Sequence, residues 1–100
     1  MSNAQRAVAD LREQLEGTAW RKPDALDTWA FLVTEVAEVG DILLRIERPK
    51  YYRNNEKLGD LYAELGDVMV MLATLANIYA VDLDEACFQT CNRLLAKHGG

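Results

Sequence analysis

Apolar positions recur at helical spacing along almost the whole chain. Ala4, Val8, Leu11 and Leu15 make a narrow stripe that predicts a first helix, with Ser2 or Asn3 as its N-cap and Gly17 just past its end. Residues 18–22 read as a connection, and Pro23 and Asp24 open a second helix. There Leu26, Trp29, Val33, Val36, Gly40 and Leu43 follow one another three and four apart, and Phe31, Leu32, Val39, Ile42, Leu44 and Ile46 widen the apolar surface. The polar stripe is narrow: Asp27, Thr34, Asp41, Arg45 and Arg48. Glu38 lies at its edge. Glu35 lies beyond it, flanked by Thr28, Phe31 and Ile42, and is expected to face packed protein. Pro49 stops this helix, and Asn54 or Asn55 caps a third. Leu58, Leu61, Leu65, Val68, Leu72, Leu75 and Tyr79 then form a packing seam of the bundle type. Asp82 or Asp84 starts a fourth helix whose inward side is expected to carry Leu83, Cys87, Cys91 and Leu94 or Leu95. Nothing alternates with strand period. The expected fold is all-α, an antiparallel bundle of about four helices in one domain spanning residues 1–100.

Composition changes this picture in two ways. Half the residues are hydrophobic, more than a lone domain of 100 residues readily buries, so a homo-oligomer completing the bundle is expected. The formal net charge of −5 argues against a nucleic acid polymer as partner, because backbone binding needs a basic footprint. No run is read as approaching the roughly 18 apolar residues of a membrane span, and the first residues carry no apolar signal segment. The expected compartment is the cytoplasm, with no membrane partner. Cys87 and Cys91 share a helix face, but with His98 alone they do not complete a zinc site. They are read as small buried residues, and a cytoplasmic disulfide is disfavoured.

The candidate chemistry lies in two acidic pairs, Glu35-Val-Ala-Glu38 and Glu64-Leu-Gly-Asp67. Residues three apart share a helix face, so each pair can aim two carboxylates at one point. Acidic pairs on helices commonly form a solvated face. These two are mid-helix, where the helix dipole gives them no help, and large apolar side chains border them. Buried without partners they would cost several kcal/mol or take up protons. A hard divalent cation resolves that conflict, since Mg²⁺ prefers oxygen ligands, with Mn²⁺ the other admissible ion. A di-iron carboxylate bundle would need Glu-x-x-His pairs, and the chain has one histidine.

The pattern Glu-x-x-Glu followed by Glu-x-x-Asp resembles the MazG-like all-α nucleoside triphosphate pyrophosphohydrolases. "LVTEVAEVGDIL" is similar to that family's first metal-binding helix, and "LYAELGDVMVMLATLANIYAVDLDEA" to its second running into the next. Trp20-Arg21-Lys22 also looks like the family's approach to the first helix, so the likeness covers residues 18–92. The resemblance implies Mg²⁺-dependent hydrolysis of a (deoxy)nucleoside triphosphate to the monophosphate and pyrophosphate, by dimers or dimers of dimers. It assigns metal ligation to Glu35, Glu38, Glu64 and Asp67. Thr34 stands where many members have a glutamate, and Thr90 and Leu94 stand where some carry a lysine and an asparagine.

Of the four carboxylates, Glu35 or Glu38 is the one expected to orient the attacking water, as a proton acceptor. Arg48, Lys50, Arg53 and Lys57 cluster between the two acidic helices, and Arg21 and Lys22 precede the first. From this set Lys22, Arg53 and Lys57 are taken as phosphate contacts. Trp20 is the candidate for stacking a base, with Trp29 read first as core and Tyr51 or Tyr52 as alternatives. Asn77 is a candidate for a sugar or base, with a structural role as its alternative. Two other functions stay open: a related enzyme such as a dUTP diphosphatase or phosphoribosyl-ATP pyrophosphohydrolase, and a catalytically silent helical module for dimerisation or partner binding.

Overall fold

The computed structural model describes residues 2–16, 24–48, 50 and 58–99, the first two of the last stretch by backbone alone. The described residues hold four helices and no strand: α1 (Asn3–Gln14), α2 (Ala25–Glu47), α3 (Leu58–Ile78) and α4 (Leu83–His98). Three starts are capped as their sequences dictate. Ser2 Oγ accepts from Gln5 N at 3.0 Å while Ser2 N donates to Gln5 Oε1 at 3.3 Å, a reciprocal capping box. Asp24 accepts from Asp27 N at 3.0 Å, and Asp82 accepts from Glu85 N at 3.2 Å. The expected roles of Gly17, Pro49, Asn54 and Asn55 lie outside the described residues, as does the Leu58 side chain.

α3 is the central element, packing on α2 along one side and on α1 along another. One buried side chain organises the second contact. Gln5 is 1% exposed. Its Nε2 donates to Asn77 Oδ1 at 3.0 Å and to the Val81 carbonyl at 2.6 Å. Its Oε1 also accepts from Leu83 N at 2.8 Å, and its carbonyl accepts from Asn77 Nδ2 at 3.1 Å. A residue in the first turn of α1 thus ties together the end of α3 and the start of α4. Farther along α1, Arg12 Nη2 donates to Thr74 Oγ1 at 3.2 Å, earlier in α3, so α1 and α3 run antiparallel. α3 ends in a Schellman turn: Val81 N donates to the Ala76 carbonyl at 2.9 Å and Ala80 N to the Asn77 carbonyl at 3.3 Å. Ala80 takes the left-handed conformation, φ 54°, that such a turn demands.

Three expectations need correction. The α3 seam is only half engaged: Leu61, Val68 and Leu75 are half-buried, but Leu65, Leu72 and Tyr79 are exposed. The face turned to α2 runs instead through Leu61, Glu64, Val68, Met71 and Leu75. Second, α4 buries none of its residues, and Cys87 and Cys91 are exposed, because no described helix packs broadly along α4. Third, Asp60–Ile78, 19 residues, is long and apolar enough by length and composition to cross a membrane. It passes that test because its acidic residues are few, although Glu64 and Asp67 sit mid-helix, where a bilayer charges most for them.

Candidate metal centre

The site forms where α2 and α3 face each other. On α2 the inward positions are Thr28, Leu32, Glu35, Val39 and Ile42, spaced three and four apart, with Thr28 and Ile42 buried. Glu35 stands in the middle of that row. Glu64 holds the matching place on α3, between Leu61 and Val68. Each carboxylate therefore sits in the middle of an apolar row, and packing turns the two rows into one interface. Asp67, one turn after Glu64, joins them from the solvent side. Single oxygens of Glu35, Glu64 and Asp67 all lie within 4.8 Å of one another. Glu38 is exposed and stands beside this trio, close enough for its carboxylate to act on both Glu35 and Glu64.

The electrostatics are those of too much negative charge in too little water. Burial pushes the Glu64 carboxyl up to about 7, helped by hydrogen bonding to Glu35 and Glu38 and by their charge. Burial also raises Glu35; a hydrogen bond from Glu64 opposes that rise, while the charges of Glu38 and Asp67 add to it. Both shifts favour the protonated carboxyl, most clearly at Glu64. Glu35 Oε2 and Glu64 Oε2 are nonetheless buried without any hydrogen-bond partner. The Arg45–Asp41 ion pair, 3.1 Å, is an i,i+4 contact along α2 itself. An orphaned buried carboxylate oxygen is costly, and two of them on residues clustered with a third carboxylate fit a hard divalent cation. Glu35, Glu64 and Asp67, whose oxygens already lie within 4.8 Å of one another, would hold such an ion.

The other expected site residues divide in two. Trp20, Lys22, Arg53 and Lys57 lie outside the described residues. Asn77 is half-buried, and both ends of its amide bond Gln5, so it is engaged in holding the helices together. Trp29, read as core, is 57% exposed on the outer face of α2. Thr34 donates to the Ala30 carbonyl at 3.1 Å, one turn back on its own helix. Gln5 was not singled out by sequence reasoning, although Ser2-x-x-Gln5 is a legible capping-box motif; its reach to Asn77, Val81 and Leu83 has no local signal.

Comparison with known proteins agrees with this geometry. The family described as the MazG nucleotide pyrophosphohydrolase domain matches residues 24–99, which takes in α2, α3, α4 and all four acidic positions. Neither a curated protein nor a solved structure matches the chain. A helical chain that carries the family's match over three quarters of its length, with the acidic trio gathered between its second and third helices, belongs to the MazG nucleotide pyrophosphohydrolase family.

Proposed function

We propose that the protein is a Mg²⁺-dependent pyrophosphohydrolase that splits a (deoxy)nucleoside triphosphate into the monophosphate and pyrophosphate, clearing unwanted nucleotides. The observation that carries this reading is the pair of buried, partnerless oxygens on Glu35 and Glu64, two residues whose carboxylates gather with that of Asp67. Glu35, Glu64 and Asp67 would hold the ion, with Glu38 completing the set. When bound, a divalent cation supplies charge neutralisation for the phosphate tail and for the departing pyrophosphate. The residues do the rest. Glu64, whose raised carboxyl favours a proton, would release it as the ion is held. Glu38, exposed at the rim, is placed to accept a hydrogen bond from water approaching the α phosphorus. The apolar rows of α2 and α3 beneath the cluster limit water on its inner side. Lys22, Arg53 and Lys57 are assigned to phosphate oxygens and Trp20 to the base.

The test is a panel of dNTPs and NTPs with pyrophosphate detection, with and without Mg²⁺. Turnover should need the ion, and Glu38→Ala and Asp67→Ala should each lower it by at least about 100-fold. A related pyrophosphate-bearing substrate, such as dUTP or phosphoribosyl-ATP, would show as a single active member of an extended panel. A second reading, a silent MazG-like module, is favoured by the Thr34 hydroxyl bonded to its own helix where a carboxylate would serve as base. Failure of every nucleotide to turn over, in an intact assembly, would support that reading instead.

We also propose that the working form is a homodimer or a dimer of dimers. The chain exposes 7979 Å². A compact protein of its 11.3 kDa is expected to expose roughly 5,700 Å². The difference, about 2,200 Å² per chain, is the size of an obligate interface. Much of it is apolar: Trp29, Val33, Val36 and Leu43 on α2, and Leu65, Met69 and Leu72 on α3, are all more than a third exposed. In the antiparallel arrangement expected of the bundle, helical periodicity would put both rows on one side of the pair, making a face a second copy can cover.

A further inference from the structure

The metal centre makes no use of α4 or of its two thiols. Cys87 and Cys91 are four residues apart on that helix, both exposed, and the neighbouring Cys91 side chain raises the Cys87 thiol. Leu83, Leu94, Leu95 and Phe88 surround them on the same side of the helix by spacing. Two facts of geometry decide what such a pair can do. Residues four apart on a helix hold their Cβ atoms about 5–6 Å apart, whereas a disulfide needs roughly 3.5–4.5 Å. Closing a disulfide between the two would therefore break the helix. A single bridging atom has no such difficulty. Metal–sulfur bonds of roughly 2.3 Å, opened towards a straight line, span sulfurs about 4.5 Å apart, within reach of ordinary rotamers at this spacing.

We infer that Cys87 and Cys91 form a two-coordinate site for a soft, thiophilic monovalent cation of the Cu(I) type, on an element separate from the carboxylates. Soft thiolates select Cu(I) over the hard ions that oxygen clusters take, so the chain would sort two metals by ligand chemistry alone. The apolar neighbours add to the selection, since they disfavour a strongly hydrated ion. On binding, each thiol gives its proton to solvent and one sulfur–metal bond forms at each cysteine. No electron is transferred, and the metal stays monovalent.

The experiment titrates the full chain, anaerobically and in its native assembly, with Cu(I) held by a chromophoric chelator whose colour reports the ion withdrawn. One Cu(I) per chain is expected. Cys87→Ser and Cys91→Ser should each weaken uptake by at least about 100-fold, with helix content by circular dichroism unchanged. Because both side chains are exposed, these variants are expected to fold. A Ser variant that retains wild-type affinity would overturn the inference. So would one Cu(I) shared between two chains, or failure of the native assembly to take up the ion.

Discussion

At Glu64 the fold holds a carboxyl at about 7 against an ordinary value of 4.5. A carboxyl raised in the folded state binds more protons there than in the unfolded chain. Its contribution to stability is therefore complete below about pH 4.5 and is lost as pH rises through about 7. Metal-free protein should lose thermal stability from this source between pH 5 and 8. Mg²⁺ must displace the proton, so its stabilising effect should be larger at pH 8 than at pH 6. Glu64→Gln should raise the melting temperature of the metal-free protein at pH 8 and erase the response to Mg²⁺. Scanning calorimetry at the two pH values, with chelator or excess Mg²⁺, measures all of this. Equal shifts with Mg²⁺ in wild type and Glu64→Gln would remove Glu64 from the ligand set.

The helices are held in register by contacts at their ends. Gln5 satisfies three backbone groups and one side chain from three helical termini while buried. Gln5→Ala would leave several of them unpaired, each costing about 1–3 kcal/mol. Urea unfolding of that variant should show a loss of about 2–4 kcal/mol, and hydrogen exchange at the start of α4 should rise with it. Ala80 makes the opposite case. Its left-handed φ of 54° costs a side-chain-bearing residue about 1–2 kcal/mol that glycine escapes, less glycine's greater loss of backbone entropy. Ala80→Gly should therefore stabilise the protein by about 0.5–1 kcal/mol, read from the same unfolding curves. An unchanged midpoint would mean that the turn relaxes when freed from its neighbours.

At the scale of the whole molecule, the proposed assembly rests on an open fold. Its radius of gyration is 16.5 Å, against about 13 Å for a compact domain of 100 residues. Sedimentation should find two or four copies at micromolar concentration. A charge placed in the open α2–α3 face, as in Val36→Glu or Leu65→Glu, should shift the protein towards monomer and lower its melting temperature. A monomeric wild-type chain with the same melting temperature as those variants would exclude this face as an interface.

Much of this was legible along the chain because it is written in local chemistry. Helix number, the caps at Ser2, Asp24 and Asp82, and the approach of Asp67 to Glu64 follow from spacing and cap preference, which act within a turn or two. So does the siting of Glu35 among apolar neighbours. What spacing could not decide is which apolar face meets which partner. α2 and α3 are apolar over most of their circumference, so periodicity supports several seams equally well. Tertiary packing chose the one that turns Glu35 and Glu64 towards each other and leaves Trp29, Leu65 and Leu72 outside. It also exposed Cys87 and Cys91 and committed Asn77 to Gln5, more than 70 residues away in sequence. A helix's periodicity names the residues that share a face; only the space occupied by other helices determines whether that face is covered.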